Sequence, residues 1–357
     1  AEVARAHFDL TVLSVLLDAG AGTGWSYTEG RDVGAAALPL QRHDGDELLA
    51  LLDQAAKTPA SGEPATAPAS GAGEVSDAPA AAPAATPGAP AGVYRRSEGL
   101  GVASLRAFVA GVFSASASDP LRADAATLKL VDAAVLRNVF QVTPANAMVG
   151  LEGRAGLVSR LGEVLAAEAA RGGVEPRPGL LYDRLTAGGT RTAVSATEVL
   201  VAVLQLLSPI FTSGGRVQGL PAGDVWPHRW AGAATASGPD ATTAGWVPFH
   251  KLSQWLVYSL LEPLQWAGVQ VTGLDALTGL PEYRNGGLLV DGGVIVPRDA
   301  RDLARSWKPG DEFVVEWRAL TVTLLDELAD LVRQRLGRSA AELPLACILE
   351  GGTWAAG

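Results

Sequence analysis

Two segments of the chain carry charged and amide side chains at spacings that suit catalysis. In "VPFHKLSQWLVYSLLEPLQWAG", a predicted helix places Lys251, Tyr258 and Glu262 on related turns, because positions four and seven apart share a helix face. In "GLPEYRNGG", a proline and two glycines enclose four polar residues, Glu282, Tyr283, Arg284 and Asn285. A rigid entry and a flexible exit suit a loop that presents side chains to a ligand. A salt-bridged turn anchored by Tyr283 is the alternative, and the residues leave both open.

Two further charged pairs lie beside apolar residues. In "VEWRALTV", Glu316 and Arg318 are two positions apart, either as a purely architectural buried ion pair or as part of a site. In "YRRSEGLG", Arg96 and Glu98 lie at a predicted helix start, where backbone N–H groups and arginines can bind a phosphate. Ordinary helix capping is the alternative for this second pair.

Asp18 lies in the glycine-rich stretch "LSVLLDAGAGTGW". A dinucleotide-binding loop needs a strand before it, a helix after it and an acid at the end of a second strand, and the following residues show neither the helix nor the strand. The stretch instead predicts a helix that ends at Gly20 and Gly22. An acid that closes an apolar helix beside open backbone is a candidate to face a pocket.

Composition excludes several classes of protein. A net charge of −10 and a pI near 5.0 argue against nucleic-acid binding, which needs a surplus of Lys and Arg. A single cysteine excludes an internal disulfide framework, and the four histidines lack metal-ligand spacing, so we predict neither metal nor cofactor. No serine has the setting of a hydrolase nucleophile. Without a long apolar run or a signal-peptide pattern, we expect a cytoplasmic protein that spans no membrane.

Three parts are predicted along the chain: an N-terminal helical part of the domain over 1–54, an Ala/Pro-rich disordered insertion over 55–93, and the main helical domain over 94–357. The insertion has almost no large apolar residue to offset the entropy of ordering. A short helical pattern, "GDELLALLDQAA", precedes it. The predicted fold class is mainly α, a multi-helix globular domain with a few short strands.

Local signals set the bounds of the helices. Ser97 is a predicted N-cap, and Ser195 with Glu198 forms a predicted capping box. Gly172 and Gly173 are expected to end the helix in "LEGRAGLVSRLGEVLAAEAARGG", and Pro263 the helix that starts near residue 249. The stretch "ADAATLKLVDAAVLRNVF" is expected to form one amphipathic helix. Strands are predicted for "GLLVDGGVIV" and for "EFVVEW", although the second also fits the start of a long helix.

Six blocks in order resemble one family: "SVLLDAGAG", "RSEGLGVASLRAF", "PFHKLSQWLVYSLLEPL", "DALTGLPEYRNGGLLVDGGVI", "VEWRALTV" and "LEGGTWAAG". By these blocks the chain is identified as a member of the uracil-catabolism protein family of fungi and bacteria. The resemblance implies a role in the route that degrades uracil through ribosylated intermediates, by way of ribosylurea, rather than in the reductive route.

The blocks around residues 250–320 also resemble, more faintly, the queuosine-nucleotide salvage glycosidases, which cleave a base from ribose 5-phosphate. This second resemblance implies an architecture similar to that of the DNA glycosylases. It covers three groups of site residues: Lys251 and Gln254, then Glu282, Tyr283 and Arg284, then Glu316 and Arg318. The salvage enzymes carry an aspartate where this chain has Ser259, which puts direct transfer of the catalytic role in doubt. Glu262, one turn later, is the nearest replacement.

Together the resemblances imply an N-glycosidase that releases urea from a ribosylurea-type intermediate, with a small-molecule nucleoside or nucleotide as its partner. Cleavage passes through an oxocarbenium-like state that a carboxylate stabilises, and the departing group takes a proton. Glu262 and Glu282 are the candidates for these two tasks. The expected ligand contacts are made by Lys251 and Arg284 to a phosphate and by Tyr283 and Asn285 to the base or urea group.

Two rival functions stay open at this point. The first is an amidohydrolase that opens the pyrimidine ring, and the missing metal-ligand pattern counts against it. The second is a non-catalytic scaffold for other pathway enzymes, which an exposed apolar patch without an acid-lined pocket would favour. A deep pocket lined by Glu262 or Glu282 with Arg or Lys would favour the glycosidase.

Overall fold

The computed structural model describes residues 1–18, 20–30, 92–211, 214–232 and 242–356. The helices are α1 (Glu2–Leu17), α2 (Arg96–Val109), α3 (Ala125–Leu128), α4 (Ala133–Val139), α5 (Leu151–Gly172), α6 (Leu180–Thr186), α7 (Ala196–Leu207), α8 (Lys251–Trp266), α9 (Tyr283–Asp291), α10 (Glu312–Leu336), α11 (Leu345–Ile348) and α12 (Trp354–Ala356). A π-helical segment, Leu349–Thr353, joins the last two. The predicted mainly α class is confirmed.

In the described ranges, eight short strands accompany the helices and form two-stranded pairs. They are β1 (Ser26–Thr28), β2 (Val93–Arg95), β3 (Ala193–Ser195), β4 (Arg216–Val217), β5 (Leu220–Pro221), β6 (Val225–Pro227), β7 (Trp246–Pro248) and β8 (Gln270–Thr272). The pair β3–β8 is parallel, and β1–β2, β4–β5 and β6–β7 are antiparallel. The pairing of β6 with β7 fixes the chain directly before α8, where several predicted site residues lie.

The main core surrounds α1, which packs against α8 and α2. Phe8, Val12 and Leu16 of α1 are fully or almost fully buried at the i, i+4 spacing of one helix face. Burying a side chain of this size contributes about 1.5–3 kcal/mol. Because of this packing, the C-terminal end of α1 lies beside the N-terminal end of α8.

A buried ion pair fastens α1 to distant loops. The Asp9 carboxylate accepts hydrogen bonds from the backbone N–H groups of Ala123 at 3.0 Å and Gly179 at 2.6 Å, and from Arg177 Nε at 2.8 Å. Asp9 and Arg177 are both fully buried. A buried pair with this many hydrogen bonds fixes geometry, and removal of one partner leaves an uncompensated charge.

Several predicted helix bounds are confirmed. Ser195 and Glu198 form the capping box of α7, and the Glu198 N–H donates to Ser195 Oγ at 3.2 Å. Gly173 ends α5 with φ +62°, a conformation that favours glycine. The helix predicted to end at Gly20 and Gly22 is α1, whose last helical residue is Leu17.

Three other helix predictions are wrong. The helix α2 begins at Arg96, so Ser97 lies inside its first turn and hydrogen-bonds Asp18 instead of capping the helix. The stretch 123–140 forms two helices, because the Asp132 side chain accepts from the Val135 N–H and starts α4. The helix α8 continues past Pro263 to Trp266, since a proline near the helix end removes only one backbone hydrogen bond.

The strand prediction for "GLLVDGGVIV" is wrong as well, whereas the helical alternative for "EFVVEW" is confirmed. The stretch "GLLVDGGVIV" contributes its first part to α9, which buries Asn285 and Leu289 at a spacing of four residues. The stretch "EFVVEW" opens α10, whose buried positions Val314, Arg318 and Leu325 follow a helical repeat. Short apolar runs fit both periods, and tertiary packing decides between them.

The predicted division at residues 54 and 93 stays a prediction. Residues 31–91, which include "GDELLALLDQAA" and most of the Ala/Pro-rich stretch, lie outside the described residues. On either side of them, β1 pairs with β2 in the register Tyr27 to Tyr94. The two flanking parts of the chain therefore pack as one unit.

Candidate functional site

The ends of several helices meet at one charged cluster. Asp18 closes α1, Ser97 opens α2, Lys251 opens α8, Glu282 is the N-cap of α9, and Arg318 lies in the second turn of α10. The N-terminal ends of three helices face this cluster, and helix N-termini carry partial positive charge and unpaired N–H groups. The sequence-predicted residues on these ends are brought together by the packing of the helices.

Lys251 lies at the centre of the cluster. Burial lowers the pKa of its ammonium group, against the opposing effect of the nearby acids Glu282, Asp18 and Asp224. Its Nζ atom lies 5.8 Å from the ring centroid of Trp255, one turn further along α8. A desolvated lysine is a strong anchor for an anionic ligand.

Asp18 is half-buried beside the same cation. Burial raises the pKa of its carboxyl group, although a hydrogen bond from Ser97 and the charges of Lys251, Arg154 and Arg284 act in the opposite direction. An acid of raised pKa among cations is suited to hold or transfer a proton. The sequence prediction that Asp18 faces a site agrees with this placement.

The start of α9 supplies a second acid and its neighbours. Glu282 Oε2 lies 3.9 Å from Arg284 Nε, and Glu282 is more buried than Arg284. Asn285 is fully buried, whereas Tyr283 is exposed and lies 6.0 Å from the ring of Trp317. The polar segment predicted to be a loop therefore forms the first turn of a helix, which points its four side chains in different directions.

Several buried polar atoms of the cluster have no hydrogen-bond partner among the described residues. They are Gln254 Oε1, Glu282 Oε2, and both Oδ1 and Nδ2 of Asn285. Gln254 uses its other amide atom, Nε2, to donate to Thr278 Oγ1 at 2.9 Å. Because nearly all buried polar groups in native proteins are paired, each such atom requires an explanation, and a polar ligand supplies one.

Asp224 also belongs to the charged cluster, although no sequence pattern predicts it. Its carboxylate accepts from Arg318 Nη1 at 2.9 Å and Nη2 at 2.6 Å, from Trp226 Nε1 at 2.7 Å, and from the backbone N–H of Lys251 at 3.2 Å. Burial raises the pKa of Asp224, but the bonds and charge of Arg318 outweigh it and lower the pKa overall. The only sequence signal for it is indirect: a cation within apolar α10 requires an acid from elsewhere.

The predicted partnership of Glu316 with Arg318 is wrong. Arg318 pairs with Asp224 and its guanidinium lies 4.1 Å from the ring centroid of Phe249, whereas Glu316 is exposed and lies toward Arg229. Two positions apart on a helix, side chains point about 200° apart, so the two cannot face each other. Arg318 alone belongs to the cluster.

Three other predicted site residues lie at its edge or away from it. Arg96 and Glu98 are exposed in the first turn of α2, on either side of Ser97. Glu262 is exposed in the last turns of α8, eleven residues after Lys251, or about 16 Å along the helix axis. The structure does not bring Glu262 to the cluster, and its catalytic role stays a prediction.

A separate cavity of about 370 Å³ lies between the segment 274–278 and α10. Asp326, Asp330 and Arg333 line one side of it, and Thr278 lines the other. Thr278 also contacts the charged cluster through Gln254. The residue therefore joins the two regions.

Within the described ranges, no three His, Cys, Asp or Glu side chains come together in a group that could hold a metal ion. The helices described there include none that is both long and apolar enough to cross a membrane.

The fold and this cluster define a mainly helical protein with a partly buried group of charged side chains where several helix ends meet. Comparison with known proteins identifies the group: the family described as "Protein of unknown function (DUF1688)" matches residues 1–50 and 85–357, so the chain belongs to this family. The family resemblance stated from the sequence blocks is thereby confirmed.

Two curated relatives match the whole chain. The chain is 33% identical to Protein urg3 of Schizosaccharomyces pombe over 359 residues, which cover 100% of the chain and 70% of the relative. It is 35% identical to Uracil catabolism protein 4 of Lachancea kluyveri over 378 residues, which cover 100% of the chain and 72% of the relative.

Proposed function

We propose that the protein hydrolyses the N-glycosidic bond of a ribosylurea-type nucleotide and releases urea, as a step of uracil catabolism. The observation that carries the proposal is that two acids share the same two cations. Asp18 and Glu282 come from α1 and α9, and both lie beside Lys251 and Arg284. Glycoside hydrolysis uses a pair of carboxylic acids in different environments, and these two acids are the candidates for that pair.

The link to uracil comes from the relatives. One of them is named for uracil catabolism, and its similarity extends over the full chain, including all the helix ends that form the cluster. The substrate itself is part of the proposal and follows from the two sequence resemblances, one to a ribosylurea route and one to enzymes that act on ribose 5-phosphate derivatives.

The acids have separate tasks in the proposed reaction. As the C–N bond breaks, positive charge develops on the sugar, and Glu282 stabilises it and directs a water molecule to the anomeric carbon. The water forms the new C–O bond and gives one proton to Glu282. The bond electrons leave with the nitrogen, which takes a proton from Asp18, whose pKa is raised by burial. The products are urea and the free sugar.

The cations hold the phosphate end of the substrate. Lys251 and Arg284 lie at the N-terminal ends of α8 and α9, where the helix dipoles add to their charge. Arg96, exposed at the start of α2 next to Ser97, is proposed as a further cation for the phosphate. Tyr283 is exposed beside Trp317, so in this proposal it contacts the substrate from the solvent side.

A small-molecule site is favoured over the scaffold alternative. Buried amide and carboxylate atoms without protein partners cost stability, and a surface that only binds other proteins gives no reason to keep them inside the fold. The ring-opening alternative uses the same kind of pocket, and the products of the reaction distinguish it from the glycosidase.

The test is an assay of urea released from ribosylurea 5-phosphate. Glu282→Gln and Asp18→Asn keep the shape of each side chain and are each expected to lower kcat by about 100-fold or more. Glu163→Gln, the same change at an exposed glutamate of α5, is the matched control. Urea release at an equal rate by Glu282→Gln contradicts the assignment. Conversion of uridine 5′-phosphate to a ring-opened ureido product, with loss of the uracil ultraviolet absorbance and without urea release, favours ring opening. The same assay on Glu262→Gln tests the remaining sequence prediction.

A further inference from the structure

Four buried polar atoms on α8, α9 and α12 comprise two hydrogen-bond acceptors and two donors. Gln254 Oε1 and Asn285 Oδ1 are acceptors, and Asn285 Nδ2 and Trp354 Nε1 are donors. None has a partner among the residues that the structure describes. Trp354 was not among the residues singled out from the sequence.

The segments that carry these atoms are packed against each other. The ring of Trp354 lies 6.3 Å from the ring of Trp255, the residue next to Gln254 on α8. The helix α9, which carries Asn285, packs against α12 and the π-helical turn before it. Gln254 Nε2 donates a hydrogen bond to Thr278 Oγ1, so Oε1 is the atom of that amide group without a partner. Lys251, one turn before Gln254, faces Glu282 at the start of α9.

We propose that these four atoms bind a terminal carbamoyl group, –CO–NH₂, and that Trp354 is a substrate-binding residue. The –NH₂ has two N–H groups for the two acceptors, Gln254 Oε1 and Asn285 Oδ1. The carbonyl oxygen has two lone pairs for the two donors, Asn285 Nδ2 and Trp354 Nε1. The inference rests on the proposed function and specifies its leaving group, because a ribosylurea ends in this group.

The two acceptors and two donors of this site also discriminate against an intact pyrimidine ring. An edge of the uracil ring presents one N–H between carbonyls and no –NH₂, so one of the two acceptors stays unpaired. An unpaired buried acceptor weakens binding by about 10- to 100-fold. The site therefore selects the ring-opened compound, and a ring-opening reaction has to supply it.

The donors also have a part in the reaction. When the glycosidic bond breaks, its electron pair passes to the nitrogen and spreads onto the carbonyl oxygen. Hydrogen bonds from Asn285 Nδ2 and Trp354 Nε1 stabilise that charge until the nitrogen is protonated. The contact to the oxygen is thus stronger in the transition state than in the substrate, which raises kcat as well as affinity.

The experiment compares ribosylurea 5-phosphate with an analogue whose terminal nitrogen carries two methyl groups and therefore has no N–H. Wild-type protein is expected to prefer the first by about 100-fold in kcat/KM, since two hydrogen bonds are lost. Trp354→Phe removes the indole N–H while keeping an aromatic ring, and is expected to lower kcat/KM about 10-fold for both compounds, which leaves the preference unchanged. Asn285→Leu keeps the side-chain size and is expected to reduce the preference to about 10-fold, because one acceptor is gone.

Trp266→Phe, at an exposed tryptophan of the opposite end of α8, is the matched control. The inference is overturned if Trp354→Phe behaves as this control does, or if Asn285→Leu keeps the full preference. Should wild-type protein release no urea, calorimetric binding of ribosylurea 5-phosphate to the same variants separates the two proposals. Binding that Trp354→Phe weakens retains the recognition and rejects the glycosidase, whereas no binding rejects both.

Discussion

Replacing Asp224 by asparagine is expected to destabilise the protein and to impair the candidate site together. The carboxylate accepts four hydrogen bonds, two of them from the guanidinium of Arg318 at 2.9 and 2.6 Å, and Arg318 is only 7% exposed. Breaking a buried ion pair by removing one partner costs about 3–5 kcal/mol, and asparagine keeps one acceptor oxygen. We therefore expect a loss of about 3 kcal/mol in the free energy of unfolding.

Guanidinium chloride unfolding at pH 7, followed by tryptophan fluorescence, measures this loss. Asp299→Asn is the matched control, because Asp299 also binds an arginine through both oxygens but is exposed, where such pairs contribute about 0–1 kcal/mol. If Asp224→Asn lowers the free energy of unfolding no more than Asp299→Asn does, the Asp224–Arg318 pair does not stabilise the fold, and the buried cation needs no partner.

The same variant has a pH signature. The pKa of Asp224 is lowered in the folded protein, so its stabilisation is complete above the unfolded pKa of about 3.9 and is lost as the pH falls below it. The difference in unfolding free energy between wild type and Asp224→Asn is expected to shrink in acid. A difference that grows as the pH falls contradicts the assignment.

Two further predictions concern the charged cluster and α9. Because burial lowers the pKa of Lys251, kcat/KM for a phosphorylated substrate is expected to fall as the pH rises. Lys251→Arg is expected to move that fall to higher pH. Equal pH profiles of the two proteins would contradict a lysine contact to the phosphate. At Gly286, an added Cβ lies 2.8 Å from Trp317 Nε1, so Gly286→Ala is expected to cost about 1–3 kcal/mol and to lower activity. The neighbouring Gly287→Ala meets nothing within 4 Å and is the control; equal melting temperatures of the two variants would show that α9 moves freely against α10.

The sequence predicts the helices well where local chemistry decides them. The capping box of Ser195 and Glu198 and the left-handed glycine at 173 act within a few residues, so they can be read without the fold. The short apolar runs at 287–296 and 312–317 fit both strand and helix, and only their packing against other helices decides between the two.

The site residues also differ in whether local sequence or distant contacts determine them. Lys251, Glu282 and Asn285 were predicted because they lie close together in the sequence on either side of one helix and its loop. Asp224 and Trp354 contribute through contacts between segments far apart in the chain, such as the 94 residues that separate Asp224 from Arg318. No local pattern marks such a residue, since what selects it is a charge or an indole N–H buried against a distant partner.

The stoichiometry of the reaction of wild-type protein with ribosylurea 5-phosphate tests directly whether the protein is a glycosidase. Carbonyl-labelled substrate, followed by carbon NMR, reports urea, and an enzymatic assay reports ribose 5-phosphate in the same sample. We expect urea and ribose 5-phosphate to appear at equal rates and in a ratio of about one, since a single C–N bond is hydrolysed. Substrate that persists unchanged, or carbonyl carbon that appears in any product other than urea, contradicts it.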